Sequence, residues 1–225
     1  GYIIIRAINI SFVIDEAWSY DILINESYYF RALIFDDSNH YVANNHVLNT
    51  LFGYISLFLF GNSPFGFRVF NILAFIMYAF YSIKIISYFS KSRMSLLIAL
   101  VFFFLNPFML EFFSLYRGYG LSLAFLSGLI YCFSQLYFEG YQKRQLLLGL
   151  FFSVLAVYAN FALLFPVFIF QISYFIYLNK NKSIASIINH NSTYLFITGA
   201  LLFLPALSNI LILSSQKELF FGGEI

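Results

Sequence analysis

Charged residues are scarce in this sequence of 225 residues, and their scarcity excludes several classes of protein. Only 10% of the residues are Asp, Glu, Lys or Arg, whereas 61% are hydrophobic and 23% are aromatic. Soluble globular domains carry about 25% charged residues, so this is not the composition of one. Twelve Lys and Arg against ten Asp and Glu leave a formal charge of +2. That charge is far too small for a protein that binds nucleic acid by neutralising phosphates, so we expect no nucleic-acid partner.

Cysteine is nearly absent as well, since Cys132 is the only one. A single cysteine within an apolar run excludes an internal disulfide and a thiolate metal site. The chain begins with Gly1 and soon becomes acidic, without the basic start of a signal peptide. We therefore expect this sequence to be a piece of a longer protein.

Long apolar runs dominate the sequence instead. A bilayer core of about 30 Å requires about 20 helical residues, and runs of that length occupy 65–89, 94–116, 118–138 and 193–213. The apolar stretch 146–178 is too long for one span, and Asn160 and Pro166 near its middle predict a tight helical hairpin. Residues 2–14 resemble the outer end of a further span. The sequence predicts an all-α membrane protein with about seven transmembrane helices, the first of them incomplete.

The segment 15–64 is predicted to be an outer loop that contains two juxtamembrane helices. Residues 15–33 place Trp18 and Ile22 at helical spacing among several charged residues, which is typical of a helix lying on the membrane surface. Residues 47–60 are apolar but only about 21 Å long as a helix, which favours a re-entrant or interfacial segment. The chain is then one module: residues 1–14 end the first span, 15–64 form the loop, and 65–213 contain six further spans.

The charges are distributed unequally between the two sides of this layout. One side of the layout carries most of the basic residues, which are Lys84, Lys91, Arg93, Lys143, Arg144, Lys180 and Lys182. Because Lys and Arg in short loops favour the cytoplasmic side, we expect the acidic side to face outward. The richness in Phe, Ile and Asn suggests a low-GC bacterial source. These features predict a multi-pass protein of the bacterial cytoplasmic membrane.

Three acidic or titratable residues lie near the outer membrane boundary. Asp15 and Glu16 could accept a proton from a nucleophile or bind a divalent cation. Alternatively, they cap the surface helix, where the helix dipole favours acids. His46, directly before the short apolar run, could bind a metal or phosphate or act as an acid or base, or it could be a capping residue. A divalent metal ion at Asp15 and His46 is the one cofactor that these residues suggest.

Two arginines lie in or beside apolar segments, where insertion at a helix centre costs about 2.5–3.5 kcal/mol. Each should therefore have a partner. Arg68 could bind a phosphate or extend to the headgroups. Arg117 adjoins Tyr119, which stands between two glycines, and such a guanidinium suits a lipid-borne phosphate. The alternative for Arg117 is an ion pair with Glu111.

The order of these features resembles the GT-C class of integral-membrane glycosyltransferases, which includes protein O-mannosyltransferases and lipid A aminoarabinose transferases. The features that carry the resemblance are Asp15-Glu16 after the first span, Asn45-His46 before the short apolar run, Gly61 followed by Arg68, Asn106-Pro107, Arg117 with Tyr119, and the hairpin through Asn160. They cover nearly all of the chain. The His-Pro-Pro prolines of many relatives are missing, and the second acid that some members carry has no Asp here, so Glu111 is the substitute that the sequence offers.

The resemblance implies a GT-C-like fold, a polyprenyl-phosphate-linked sugar donor and transfer to a lipid, glycan or protein acceptor on the outer face. Asp15 then matches the essential outer-loop acid, proposed as general base or metal ligand, and Glu16 its neighbour. The donor phosphate side would comprise Arg117, Tyr119, His46 and Arg68. Asn45, Glu111 and Asn160 would line the rest of the cavity, although a helix cap is the alternative for Asn160.

The main alternative is a non-catalytic polyprenyl-lipid transporter or flippase, or an accessory protein of cell-envelope polysaccharide assembly. Such a protein would also pair a membrane-buried arginine with a lipid phosphate. Transport would require a continuous polar path across the spans, and the sequence indicates none in the inner half. Catalysis instead concentrates the chemistry at Asp15.

Overall fold

The computed structural model describes residues 1–25, 46–140, 142–179 and 199. In this part the chain is all-helical, as predicted, and the helices are α1 (Tyr2–Asn9), α2 (Ile14–Asn25), α3 (Val47–Phe60), α4 (Pro64–Phe89), α5 (Arg93–Phe104), α6 (Pro107–Ser114), α7 (Gly118–Phe138), α8 (Lys143–Ala159) and α9 (Leu164–Asn179). A 3₁₀ turn, Phe161–Leu163, joins α8 to α9. Asn45, the end of the predicted surface helix and, apart from residue 199, the predicted span 193–213 lie outside the described residues.

Two of these helices, α4 and α7, are long and apolar enough to cross a bilayer. A third span results if α5 and α6 are counted together as one bent element. Helices α8 and α9, with 17 and 16 residues, are shorter than the roughly 20 residues that a typical span needs. The described residues therefore have the helices of a membrane protein, but they do not confirm the expected count of seven spans.

The span predicted over residues 94–116 is not one straight helix, because it is broken into α5 and α6. Helices α5 and α6 are bent by 49° relative to each other. The side chain of Asn106 accepts a hydrogen bond from the backbone N–H of Phe108 at 3.1 Å, and Pro107 occupies the first turn of α6. An Asn cap followed by Pro starts a new helix, because Pro lacks the N–H that would continue the old one.

Helix α3 has the bounds of the short apolar run, and the breaker residues after it explain its end. Gly61 terminates α3 with φ 65°, a conformation that a side chain would disfavour. The hydroxyl of Ser63 then accepts the backbone N–H of Gly66 at 3.0 Å, with Pro64 at the start of α4. One short segment thus ends α3 and begins α4, which holds the two helices together.

The core lies where α7 packs between α4 and α8. Large and small side chains alternate across the α7–α8 contact: Phe152 of α8 packs on Gly128, and Phe133 of α7 packs on Gly149. The expected break in the second half of the chain is confirmed, because α8 ends at Asn160. The Asn160 side chain accepts the N–H of Ala162 at 3.1 Å, which is the capping alternative for this residue.

Helix α4 presents two chemically different faces. Its buried residues recur every three or four positions and include four polar or charged side chains, Arg68, Asn71, Tyr78 and Ser82. The opposite face exposes large apolar side chains such as Ile76 and Phe80. Polar groups therefore face the protein interior and apolar groups face outward, which is the arrangement required in lipid.

Candidate functional site

The acidic pair Asp15-Glu16 lies in the first turn of α2. Negative charge is favoured there by the helix dipole. Glu16 also acts as a capping residue, because its Oε2 accepts the backbone N–H of Val13 at 3.1 Å. The two neighbouring carboxylates differ in environment: Glu16 is fully buried, whereas the side chain of Asp15 is 42% exposed.

Glu16 forms a buried, two-bond ion pair with Arg68 of α4. Arg68 Nε donates to Glu16 Oε1 at 2.9 Å and Nη2 donates to Oε2 at 2.5 Å. Both side chains have no exposed surface. A fork of two parallel bonds fixes orientation as well as charge, which is the geometry for which arginine is suited.

Arg68 also binds the end of α1. Its Nη1 donates to the carbonyl oxygens of Ala7 at 2.9 Å and Ile10 at 2.7 Å, and Nη2 donates to that of Ser11 at 3.2 Å. Carbonyl groups at a helix end lack hydrogen-bond donors within the helix, and the Arg68 guanidinium provides these donors. With the two bonds to Glu16, all five N–H donors of Arg68 are engaged. Arg68 therefore neither extends to the membrane surface nor offers a donor to a phosphate, and its partner is Glu16.

The connection between α6 and α7 binds both members of the acidic pair. The backbone N–H of Tyr116 donates to Glu16 Oε1 at 2.5 Å. The next residue, Arg117, forms an ion pair with Asp15 through its Nη1. Two adjacent residues of α2 thus bind two adjacent residues about a hundred positions away. We call Asp15, Glu16, Arg68 and Arg117 the ion-pair cluster.

Arg117 lies at the start of α7, where it is the N-cap residue. Its guanidinium carbon lies 4.8 Å from the centre of the Tyr119 ring, and the Arg117 side chain is 14% exposed. The Tyr119 ring in turn contacts His46 edge-on, with centroids 5.1 Å apart. The structure therefore brings together Asp15, Arg117, Tyr119 and His46, four of the residues that the sequence suggested for the site. Glu16 and Arg68, the other two members of the ion-pair cluster, have no contact with solvent.

His46 is held in a narrow space between α7 and the end of α8. It has a backbone hydrogen bond with Ala159. A Cβ added to Gly118 would overlap the Ala159 carbonyl oxygen and lie 2.7 Å from His46 Cβ, so only glycine fits there. Burial, and then the neighbouring Arg117, lower the pKa of His46 to about 4, against the smaller raising effects of Ala159 and Asp15. The imidazole is therefore neutral at pH 7 and brings no positive charge to a phosphate.

The low pKa of His46 predicts that acid weakens the fold. In the unfolded chain the imidazole binds a proton near pH 6.5, whereas in the folded chain it does so only near pH 4. The contribution of neutral His46 to the free energy of unfolding is therefore fully present above about pH 6.5. It decreases by about 3 kcal/mol as the pH falls to about 4. Thermal unfolding measured between pH 4 and 8 on wild type and His46→Gln should give curves that converge at low pH. Parallel curves would contradict this assignment.

Asn49 and Asn71 form a buried polar contact that the sequence reasoning did not single out. Asn71 Nδ2 donates to Asn49 Oδ1 at 3.2 Å between α4 and α3. The hydroxyl of Tyr116 donates to the backbone carbonyl of Asn49 at 3.2 Å. The signal was available, because an amide inside an apolar helix needs a partner as an arginine does. These bonds anchor the start of α3 against α4 and the ion-pair cluster.

The expected alternative pairing of Arg117 with Glu111 was wrong. Glu111 instead pairs with Arg6 of α1, with 2.7 Å between Oε1 and Nη2. The reason is geometric: α6 contacts α1, whereas the connection after α6 turns Arg117 towards α2. Glu111 consequently joins two helices beside the ion-pair cluster and is not part of it.

We expect the Arg6–Glu111 pair to contribute little to stability. Its side chains are 27% and 40% exposed, and exposed pairs are typically worth about 0–1 kcal/mol. Glu111→Gln should therefore lower the free energy of unfolding by no more than about 1 kcal/mol, as measured by thermal unfolding in detergent. A loss as large as that expected for a fully buried pair would contradict this interpretation.

The surroundings of Asp15 and His46 bear on the divalent cation that the sequence led us to expect there. Among the described residues, no three His, Cys, Asp or Glu side chains lie close enough together to hold a metal ion. The carboxylate of Asp15 has the Arg117 guanidinium on it, and a second positive charge beside that guanidinium would be repelled. These residues do not fit a metal in the described arrangement, and no step proposed below depends on one.

Comparison with known proteins gives no assignment. No protein-family model matches the chain, and neither a curated protein nor a solved structure shows significant similarity to it. The ion-pair cluster and its surroundings are therefore the basis of the function proposed below.

Proposed function

We propose that this chain belongs to an integral-membrane glycosyltransferase of the GT-C type, which moves a sugar from a polyprenyl-phosphate-linked donor to a lipid, glycan or protein acceptor. The observation that supports this most is the pairing of a partly exposed carboxylate, Asp15, with Arg117 at the start of α7. A base and a phosphate-binding cation are the two groups that such a transfer needs.

The proposed reaction begins with the donor phosphate at Arg117. The donor phosphate, a diester with one negative charge, competes with Asp15 for the guanidinium at the N-terminus of α7, and a helix N-terminus favours anions. Donor binding thereby frees the Asp15 carboxylate. The site then contains a base only when the donor is present.

The transfer step follows from this arrangement. The acceptor oxygen or nitrogen attacks the sugar carbon that bears the phosphate, and its proton passes to the Asp15 carboxylate. The bond between that carbon and the phosphate oxygen breaks, and the polyprenyl phosphate leaves with the electron pair. Arg117 stabilises the charge that develops on the leaving oxygen. The buried Glu16–Arg68 pair keeps the neighbouring Asp15 and Arg117 side chains in position for the reaction.

His46 is given a different part from that of a phosphate ligand. Because its imidazole is neutral and its Nε2 has no hydrogen-bond partner among the described residues, it suits a hydroxyl group better than an anion. In the proposed site it accepts a hydrogen bond from a hydroxyl of the bound sugar. Tyr119 packs between His46, which binds the sugar in this proposal, and Arg117, which binds the phosphate.

The layout proposed for the full module keeps seven spans. They are α1 as the end of the first, then α4, the bent α5–α6 element, α7, α8, α9 and the apolar run 193–213. With the basic connections on the cytoplasmic side, the ion-pair cluster faces outward in a bacterial cytoplasmic membrane.

Sugar transfer measured in membranes tests the proposal. Membranes that contain the full-length parent protein are given a panel of radiolabelled polyprenyl-phosphate sugars, with nucleotide sugars as the comparison. We expect transfer from at least one lipid-linked donor and from no nucleotide sugar, and a rate about 10²- to 10⁴-fold lower with Asp15→Asn. Normal insertion without transfer from any donor would contradict the proposal and would favour a transporter or an accessory protein.

A further inference from the structure

The end of the helix bundle opposite to the ion-pair cluster contains an aromatic groove. It lies between α7 and α9, beside the last residue of α4, has a volume of about 470 Å³, and is lined by Phe89, Phe133, Tyr137, Phe170, Ser173 and Tyr177, among others. This is within the usual range of about 300–1,000 Å³ for small-ligand sites. Its accessible lining is mostly apolar, and the hydroxyl-bearing residues of the lining are serines and tyrosines.

Ring contacts hold the helix ends around the groove together. Tyr137 and Tyr177 lie with ring centroids 4.8 Å apart, and Phe133 stacks on Phe170 at 5.2 Å. Phe89, the last residue of α4, contacts Phe138 at 5.5 Å. The ends of α4, α7 and α9 therefore meet at one level, where tyrosines mark a membrane boundary.

Four basic residues follow directly after these helix ends. Lys91 lies between α4 and α5, Arg93 begins α5, and Lys143 and Arg144 begin α8 after a short connection from α7. All four are exposed. The acidic residue among them, Glu139, accepts a hydrogen bond from the Tyr88 hydroxyl at 2.5 Å. The mouth of the groove thus has an excess of positive charge, and the groove below it is apolar.

We propose that this groove binds an anionic glycerophospholipid from the adjacent leaflet, with one acyl chain along the aromatic side chains and the phosphate at the basic connections. The charge at the mouth decides the occupant, since a zwitterionic lipid gains little from four cations. Basic pockets between transmembrane helices bind anionic headgroups in this way. The proposal is independent of the catalytic assignment, because none of these residues contacts the ion-pair cluster.

Lipid binding by the purified full chain tests the proposal. The protein in non-ionic detergent is mixed with phosphatidylglycerol or with phosphatidylcholine of the same acyl chains, and bound lipid is counted by native mass spectrometry. We expect phosphatidylglycerol to be retained preferentially. Each cation near a membrane surface is worth about 1 kcal/mol, so Arg93→Gln/Arg144→Gln should weaken retention about thirtyfold.

Three further variants distinguish the effect of charge from the effect of groove shape. Arg93→Lys/Arg144→Lys keeps the charge and should keep the lipid. Ser173→Phe fills the groove without changing the charge and should release the lipid, whereas Ile172→Phe, the neighbouring exposed position outside the lining, should not.

Three results would overturn the proposal. They are equal retention of both lipids, retention unaffected by Ser173→Phe, and no retention by wild type combined with a lowered Tm for Ser173→Phe. The last would mean that residues 193–213 of this chain occupy the groove.

Discussion

Replacing Asp15 with asparagine is expected to lower the rate of sugar transfer by about 10²- to 10⁴-fold, which is the usual contribution of a general base. Asparagine has the size of aspartate and still accepts a hydrogen bond from Arg117, but it cannot take the acceptor's proton. The side chain is 42% exposed, so the substitution should leave the fold intact. The measurement is the initial rate of transfer in membranes with equal amounts of inserted protein.

Asp21→Asn is the matched control for Asp15→Asn. Asp21 lies on the same helix, α2, and is exposed. The two variants make the same chemical change and remove the same charge. A loss of transfer in Asp15→Asn but not in Asp21→Asn therefore results from the position of Asp15 in the site. Activity that is unchanged in Asp15→Asn would remove this residue from the mechanism.

Replacing Glu16 with alanine is expected to destabilise the protein by about 3–5 kcal/mol, because it leaves the Arg68 guanidinium buried without its counter-charge. In a chain of this size the loss corresponds to a decrease in Tm of about 6–20 °C. It also removes the acceptor for the backbone N–H of Tyr116. The Tm in detergent, followed by size-exclusion chromatography after heating, measures the effect.

The double variant Glu16→Gln/Arg68→Met distinguishes a charge effect from a packing effect. It removes both charges and keeps similar side-chain volumes, so it should recover part of the stability that Glu16→Ala loses. Arg6→Gln, which breaks the partly exposed pair with Glu111, is the control for loss of an ion pair as such. A Glu16→Ala protein that melts with wild type would show that the buried pair does not support the fold.

Helix positions could be predicted where an apolar run ends at residues with a fixed backbone preference. Helix α3 ends where Gly61 allows a positive φ, and α7 has the predicted bounds Gly118–Phe138. The bend at Asn106-Pro107 was missed because hydropathy averages over a window and ignores a cap in the middle of it. The sequence contained that signal, since Asn before Pro starts a helix.

The residues of the site could be predicted more easily than their partners. An arginine beside an apolar segment needs a counter-charge, so partners for Arg68 and Arg117 were expected from the sequence. Which carboxylate each would bind depends on the packing of helices 52 and 102 residues apart in sequence, and local spacing does not contain that information. Local spacing also does not reveal burial, so the sequence led us to expect Glu16 to be catalytic together with Asp15. In the structure the Glu16 oxygens instead accept hydrogen bonds from Arg68, Val13 and Tyr116.

The wide separation of these partners in sequence sets an order in which the protein can be assembled. Glu16 is synthesised 52 residues before Arg68 and 100 residues before Tyr116. At about 5–20 residues per second, the carboxylate waits roughly 5–20 s for its last partner. During that interval its charge must remain in water, so the first loop stays outside the bilayer until α4 and the α6–α7 connection have been inserted. Closure of the ion-pair cluster is thus a late event in biogenesis. A nascent chain released before Arg68 would expose two carboxylates without their counter-charges, and one released between Arg68 and Arg117 would leave Asp15 without its own.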